Sequence, residues 1–339
     1  MIQSALGGSL PRKNGEKLRV SAYLIASTAE TVENMDVSHL KDITDLILIA
    51  APAGFNAEGQ IVLGDEFDGI IAALSEKTRG FDIRLHLTLG GPGSVEGDTW
   101  EEQMESQSEQ HRLAFCSGVL EENIKSLLYH YPLDGVSFDY EYPFTEQRKK
   151  EYSDFLVSLK EVLGDTYVLS CALSSWCADF SEEAKSAIDR VELMCYDCWD
   201  PTTGAHASLR NAKDQIREML KLGYRPEQID LGLPFYARPT NGDAIWYDYN
   251  NCYDKIDKLG LMEDAENGVT ASFNTPDLIY AKTRYAILKK LGGVMLWHYG
   301  ADVPADNEAS LINAVIRARG PVEQYVSYEE DRIPLYEYD

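Results

Sequence analysis

The sequence predicts a (β/α)8 barrel, and three observations carry that prediction. Short apolar, β-rich runs alternate with amphipathic stretches along the chain, which argues for a parallel sheet covered by helices. Eight such runs occur, the number that closes a barrel. No glycine-rich phosphate loop follows the first of them, as a doubly wound nucleotide-binding sheet would carry. At 339 residues the chain accommodates a barrel of about 250 residues plus insertions without a second core.

In chain order, an N-terminal extension of 1–17 precedes a strand near 18–25 and a second near 44–50. A helix at 66–78, with a weaker periodic signal, leads to a strand at 83–89, and one long amphipathic stretch at 108–128 leads to a strand at 134–140. Helix 146–163, strand 167–173, a short helix at 181–189 and strand 191–196 follow. Helix 207–221 and strand 229–235 come next, then a polar and aromatic insertion at 239–275 before helix 276–290 and strand 293–298. The barrel thus spans 18–319, and 320–339 is an acidic, tyrosine-bearing tail suited either to packing on the barrel or to self-association. No repeat, low-complexity tract or Pro/Gly/Ser linker marks a further domain boundary.

Composition narrows the partners. A hydrophobic share of 44% with 26% charged residues suits a globular protein with a large core. The net charge of −25 opposes binding to a nucleic-acid backbone or an anionic membrane. The N-terminus has no apolar run of signal-peptide length, and nothing later offers about 20 apolar residues for a span. Cytoplasmic residence is the default expectation, and an extracellular one follows if a leader has been removed. The six cysteines lack paired zinc spacing and read mostly as buried thiols, and the six histidines form neither HxH nor HExxH. No metal or organic cofactor is expected.

The most informative stretch is Leu133–Pro143, LDGVSFDYEYP. In an extended strand Ser137, Asp139 and Glu141 share one face, and Val136, Phe138 and Tyr140 take the other. Two carboxylates then stand together at the carboxyl end of a barrel strand, where such enzymes keep their chemistry. Like charges in a partly dry site raise one proton affinity, giving a proton donor beside a group that stays ionised.

DGVSFDYEYP resembles the DGxDxDxE signature of glycoside hydrolase family 18, the chitinases and endo-β-N-acetylglucosaminidases. Four further stretches agree in order: Leu87-Thr88-Leu89-Gly90-Gly91, Met194-Cys195-Tyr196-Asp197, Leu233-Pro234-Phe235-Tyr236-Ala237-Arg238 and Gly292-Gly293-Val294-Met295-Leu296-Trp297 resemble the family's third, sixth, seventh and eighth strands. The resemblance implies a retaining reaction in which the substrate's own N-acetyl oxygen attacks the anomeric carbon. It makes Glu141 the general acid and base, Asp139 the group that holds the acetamido N–H, and Tyr196 a donor to the acetamido oxygen. It gives Asp197 a sugar hydroxyl, Trp297 the floor of the cleavage subsite, and Met194, Tyr236 and Arg238 substrate contacts, although Arg238 suits a surface ion pair equally well. All five tryptophans, Trp100, Trp176, Trp199, Trp246 and Trp297, fall at or just after the carboxyl ends of predicted strands; Trp100 and Trp199 are therefore expected on the sugar-binding rim.

One departure stands out. Members of the family usually carry an aspartate where this chain has Ser137, so Asp139 is expected to point permanently toward Glu141. Tyr23 and Thr88 would then complete a neutral hydrogen-bond network beneath it, and the acidic limb of the pH profile would shift. The expected substrate is an N-acetylglucosamine-containing oligosaccharide or polysaccharide such as chitin. Endo-action on N-glycans, peptidoglycan hydrolysis and a non-catalytic lectin of the same fold are the alternatives. Oligomeric state is not encoded in any pattern.

Overall fold

A computed structural model describes residues 18–90 and 97–320. Its core is a closed barrel of eight parallel strands paired in chain order. These are β1 (Arg19–Ala26), β2 (Asp45–Ala50), β3 (Arg84–Leu89), β4 (Gly135–Phe138), β5 (Val168–Leu173), β6 (Arg190–Leu193), β7 (Ile229–Pro234) and β8 (Gly293–Trp297). Each predicted strand is present within three residues of its expected ends. β8 closes on β1 through the register Arg19 to Gly293 and Ala22 to Leu296.

Alternation along the strands divides two environments. Val20, Ala22 and Leu24 of β1 and Leu46 and Leu48 of β2 face outward into the main apolar core beneath the helices. Their neighbours Tyr23 and Ile47 point inward, where they meet Met295. Deeper inside, the filling is polar: Ser21, Asp45, His86, Ser137, Ser170, Arg190, Glu192 and Asp230 are all buried. Burying charge is tolerated only when it is paired and hydrogen-bonded. Asp45 meets this condition, taking Arg190 Nη1 at 2.6 Å, His86 Nε2 at 2.9 Å and Arg84 Nε at 2.9 Å. Asp230 meets it through Arg19 at 2.7 Å.

The helices are α1 (Ala29–Glu33), α2 (Phe67–Thr78), α3 (Trp100–Phe115), α4 (Leu120–His130), α5 (Glu146–Leu163), α6 (Glu182–Ala187), α7 (Leu209–Lys221), α8 (Pro276–Leu288) and α9 (Leu311–Ala318). Thr145, Ser181, Ser208, Thr275 and Ser310 each cap a helix by accepting from a first-turn backbone N–H, a contribution of about 1 kcal/mol apiece. The single stretch expected at 108–128 is two helices. Its periodicity passes through Cys116, Ser117 and Gly118, but Gly118 takes φ 71°, a left-handed value that ends a helical run.

The insertion after β7 folds as a four-stranded antiparallel sheet of Tyr236–Pro239, Tyr247–Asp248, Leu261–Asp264 and Val269–Ser272. A hairpin, Ala53–Phe55 with Ile61–Leu63, follows β2 in the chain. Neither sheet, nor α1 or α9, is anticipated by the strand and helix assignment from sequence. The extension 1–17 and all but Gly320 of the predicted tail lie outside the described residues, and among the described residues no helix is long and apolar enough to cross a membrane.

Candidate active site

A cavity at the carboxyl ends of the strands is lined by Asp139 and Glu141, by Tyr23, Met194, Tyr196, Asp197, Tyr236 and Trp297, and by Tyr142, Ala172, Ser174 and Trp246. The first eight are sequence-predicted site residues converging on one place; the last four are additions. A roomier groove of about 570 Å³ lies between α5 and α6. Both of its lysines are engaged, Lys149 with Glu146 and Lys150 with Asp154, and none of the motif residues lines it, so the chemistry belongs to the barrel mouth.

Asp139 follows β4 directly, and its backbone N–H still reaches Leu89 O of β3 at 3.2 Å. The neighbouring strand therefore fixes where its side chain starts. Burial, the charge of Glu141 and a hydrogen bond to it, and the charge of Glu192 all push the Asp139 carboxyl well above the usual carboxylate range. Asp139 therefore holds a proton more tightly than an ordinary carboxyl. Asp139 Oδ1 is buried with no hydrogen-bond partner among the described residues, an acceptor that a ligand N–H can satisfy.

Tyr196 comes from the segment after β6. Gly232 on β7 makes room for it: a Cβ there would lie 3.0 Å from Tyr196 Cε1 and 2.3 Å from Leu193 O. Tyr23 and Trp297 stand with ring centroids 5.0 Å apart, and Trp297 and Tyr196 at 6.4 Å. Together they form an aromatic floor on which the C–H face of a pyranose can pack.

Arg238 is an ion pair within the site. Its Nε donates to Asp197 Oδ1 at 2.9 Å, its Nη1 to Ala244 O at 2.7 Å, and its guanidinium lies 4.8 Å from the Trp246 ring centre. Burial opposes ionisation of Asp197, but hydrogen bonds from His206 and Arg238 outweigh it and hold its pKa down to about 2. Asp197 also adopts φ 49°, a left-handed conformation costly for a non-glycine residue. Trp246, from the insertion, stacks on Tyr236 at 3.5 Å and 8°. Its place in an irregular polar segment gave sequence reasoning no periodicity from which to assign it to the cavity.

The tryptophans divide. Trp297 and Trp246 line the cavity. Trp176 is 60% exposed and packs with Tyr142 and Phe144 at centroid distances of 4.6 and 5.9 Å. Trp199 is not in the lining: its indole N–H is spent on Pro239 O at 2.8 Å, tying the insertion to the barrel. Trp100 begins α3, and its side chain lies outside the described residues.

Beneath Asp139 the arrangement differs from the expectation. Ser137 Oγ donates to Glu192 Oε2 at 3.3 Å and lies 3.3 Å from Tyr23 OH. Thr88 Oγ1 is buried without a hydrogen-bond partner among the described residues and takes no part. The network is therefore not neutral, because β6 brings a carboxylate into it. Sequence reasoning passed over Glu192, although its signal was present: positions 192, 194 and 196 share a strand face with two residues already assigned to the site. Among the described residues no cluster of three or more His, Cys, Asp or Glu side chains is arranged to hold a metal.

Comparison with known proteins places the chain in a family. Residues 19–302 match the family described as "Glycosyl hydrolases family 18". "Endochitinase 1" of Metarhizium robertsii is 25% identical over 50% of this chain and 52% of its own length, and "Class V chitinase CHIT5a" of Medicago truncatula is 23% identical over 83% and 85%. The chain spans about half the length of the first of these relatives. Among solved structures, a chitinase from the chitin utilization locus of Flavobacterium johnsoniae superposes with TM-score 0.70 at 21% identity, covering 90% of this chain and 94% of that one. A class V chitinase from Nicotiana tobaccum in complex with NAG4 gives 0.69 at 16%, covering 90% and 99%. With its closed barrel, its paired carboxylates and a family match across most of its length, the chain belongs to glycosyl hydrolase family 18.

Proposed function

We propose that this protein hydrolyses β-1,4 bonds at N-acetylglucosamine, in chitin or chitooligosaccharides, by a retaining mechanism in which the substrate supplies the nucleophile. The observation that carries the reading is the meeting of Asp139, Glu141 and Tyr196 in one cavity, with an Asp139 oxygen buried and without a hydrogen-bond partner among the described residues. The acetamido oxygen of the sugar on the Trp297 floor attacks C1 as the bond from C1 to the glycosidic oxygen breaks. Glu141 gives its proton to that departing oxygen. Asp139 accepts from the acetamido N–H and offsets the positive charge of the cyclic intermediate. The Tyr196 hydroxyl donates to the acetamido oxygen and holds it in line for attack. Water then adds to C1 on the face the leaving group vacated as the bond from C1 to the acetamido oxygen breaks and its electron pair returns to the amide; Glu141 takes the water's proton, and configuration is retained.

The test is turnover of a fluorogenic chitobioside by wild type and Glu141→Gln. Turnover that Glu141→Gln abolishes supports the hydrolase. Tight oligosaccharide binding without wild-type turnover would instead establish a lectin, and release of intact N-glycans in preference to chitooligosaccharide cleavage would move the assignment to an endo-N-acetylglucosaminidase.

A further inference from the structure

Ser137 leaves the strand that carries Asp139 and Glu141 one carboxylate short of the family pattern, yet the barrel interior at that level is not short of charge. Glu192, from β6, is buried and hydrogen-bonded to Ser137 at 3.3 Å, and Tyr23 closes on the same hydroxyl from β1. While Glu192 is ionised it accepts the one proton Ser137 has to give, and Tyr23 then donates to Ser137. The chain of hydroxyls thus ends on Glu192 as its acceptor.

We propose that Glu192 is a positioning residue for the reaction: a carboxylate supplied by β6, two strands along from β4, in place of the one Ser137 lacks, anchoring through Ser137 and Tyr23 the hydroxyl chain beneath the Asp139–Glu141 pair. The inference rests on the hydrolase reading of that pair.

The surroundings of Glu192 favour a group poised between two states. Burial and the charge of Asp230 on β7 raise its pKa to about 7, against the opposing influence of a hydrogen bond from Ser170 on β5 and of Arg190 on its own strand. Arg19 from β1 is bound to Asp230, and Asp45 of β2 with His86 of β3 occupies Arg190. The cations facing Glu192 are therefore shared with other carboxylates. Above it stand Asp139, itself raised in part by the Glu192 charge, and the Tyr23 hydroxyl, raised by burial and then by Glu192. The sign follows. Ionised Glu192 raises the proton affinity of Asp139, so neutralising Glu192 lets the pair lose its proton at lower pH.

The experiment is the pH profile of kcat/KM on a chitobioside for wild type, Glu192→Gln, Glu192→Asp and the double variant Glu192→Gln with Ser137→Asp. The alkaline limb is expected to fall by on the order of one pH unit in Glu192→Gln. It should stay near wild type in Glu192→Asp and return in the double variant, where the carboxylate sits on β4 instead. Superimposable alkaline limbs for wild type and Glu192→Gln, or no return in the double variant, would overturn the proposal. Should Glu192→Gln not fold, 13C NMR of glutamate carboxyls in the unaltered protein decides: a buried glutamate titrating near 7 is expected, and its absence refutes the role. That titration stands even if wild type has no turnover, an outcome that would fail the hydrolase reading alone.

Discussion

Replacing Asp45 by Asn tests whether the charged interior supports the barrel beneath the site. Asp45 has a fully buried side chain and binds Arg190, whose side chain is 3% exposed, at 2.6 Å. Burial alone would raise its pKa, but Arg190, the hydrogen bond and charge of His86, and Arg84 together hold it well below the usual carboxylate range. Breaking a buried pair by removing one partner costs about 3–5 kcal/mol, because the other charge is left uncompensated. The lower end applies here, since Asp230 and Glu192 still act on Arg190. For 339 residues the unfolding entropy is roughly 0.7 kcal/mol per kelvin, so about 3 kcal/mol corresponds to a fall of about 4 °C in Tm. A carboxylate with a depressed folded pKa contributes stability that is present above its unfolded value of about 3.9 and lost as pH falls through the folded value. Scanning calorimetry should therefore show a constant gap between wild type and Asp45→Asn from about pH 5 to 8, narrowing only below about pH 4. A gap under about 1 °C at pH 7, or one that widens on acidification, would refute the reasoning.

Three further outcomes follow from the site. Tyr196→Phe removes one donor to the developing charge and should lower kcat by about 100-fold with little change in Tm, measured by steady-state kinetics and thermal unfolding. Trp246→Ala removes the ring stacked on Tyr236 at 3.5 Å; KM for a chitooligosaccharide should rise about 5- to 10-fold with kcat nearly constant, as expected when a binding surface is lost. Gly232→Ala forces a Cβ to within 2.3 Å of Leu193 O, so chemical denaturation should show a loss of about 1–3 kcal/mol, and turnover should fall as Tyr196 is displaced.

The barrel was legible because burial on both faces leaves its strands as short apolar runs. Asp45–Ala50 is one: Leu46 and Leu48 pack under the helices and Ile47 in the barrel interior, so the run stays apolar. The Asp139–Glu141 pair was legible because two residues apart on a strand means one face. What escaped has no such pattern. Tyr236–Ser272 folds into its small sheet through pairings across long irregular links, and Trp246 reaches the cavity only because that sheet holds it there. Cys116–Gly118 interrupts a helix through one backbone angle that the apolar pattern does not record. Glu192 was hidden by a different effect. The alternation of Glu192 with Met194 and Tyr196 put it on the inward face, but the partner that explains a carboxylate there, Ser137, lies 55 positions away and two strands along the barrel. The expected neutral network beneath Asp139 failed at this point, because the missing charge had moved to another strand.

The most direct test of the catalytic reading alters the substrate. Turnover of a fluorogenic chitobioside should be compared with that of the same compound bearing a free amine in place of the acetamido group on the sugar that is cleaved. With the nucleophile inside the substrate, its removal should lower kcat/KM by a factor of at least about 1,000, as loss of an intramolecular attacking group does. Comparable turnover of the two compounds would contradict the account, since the attacking atom would then have to come from the protein or from water.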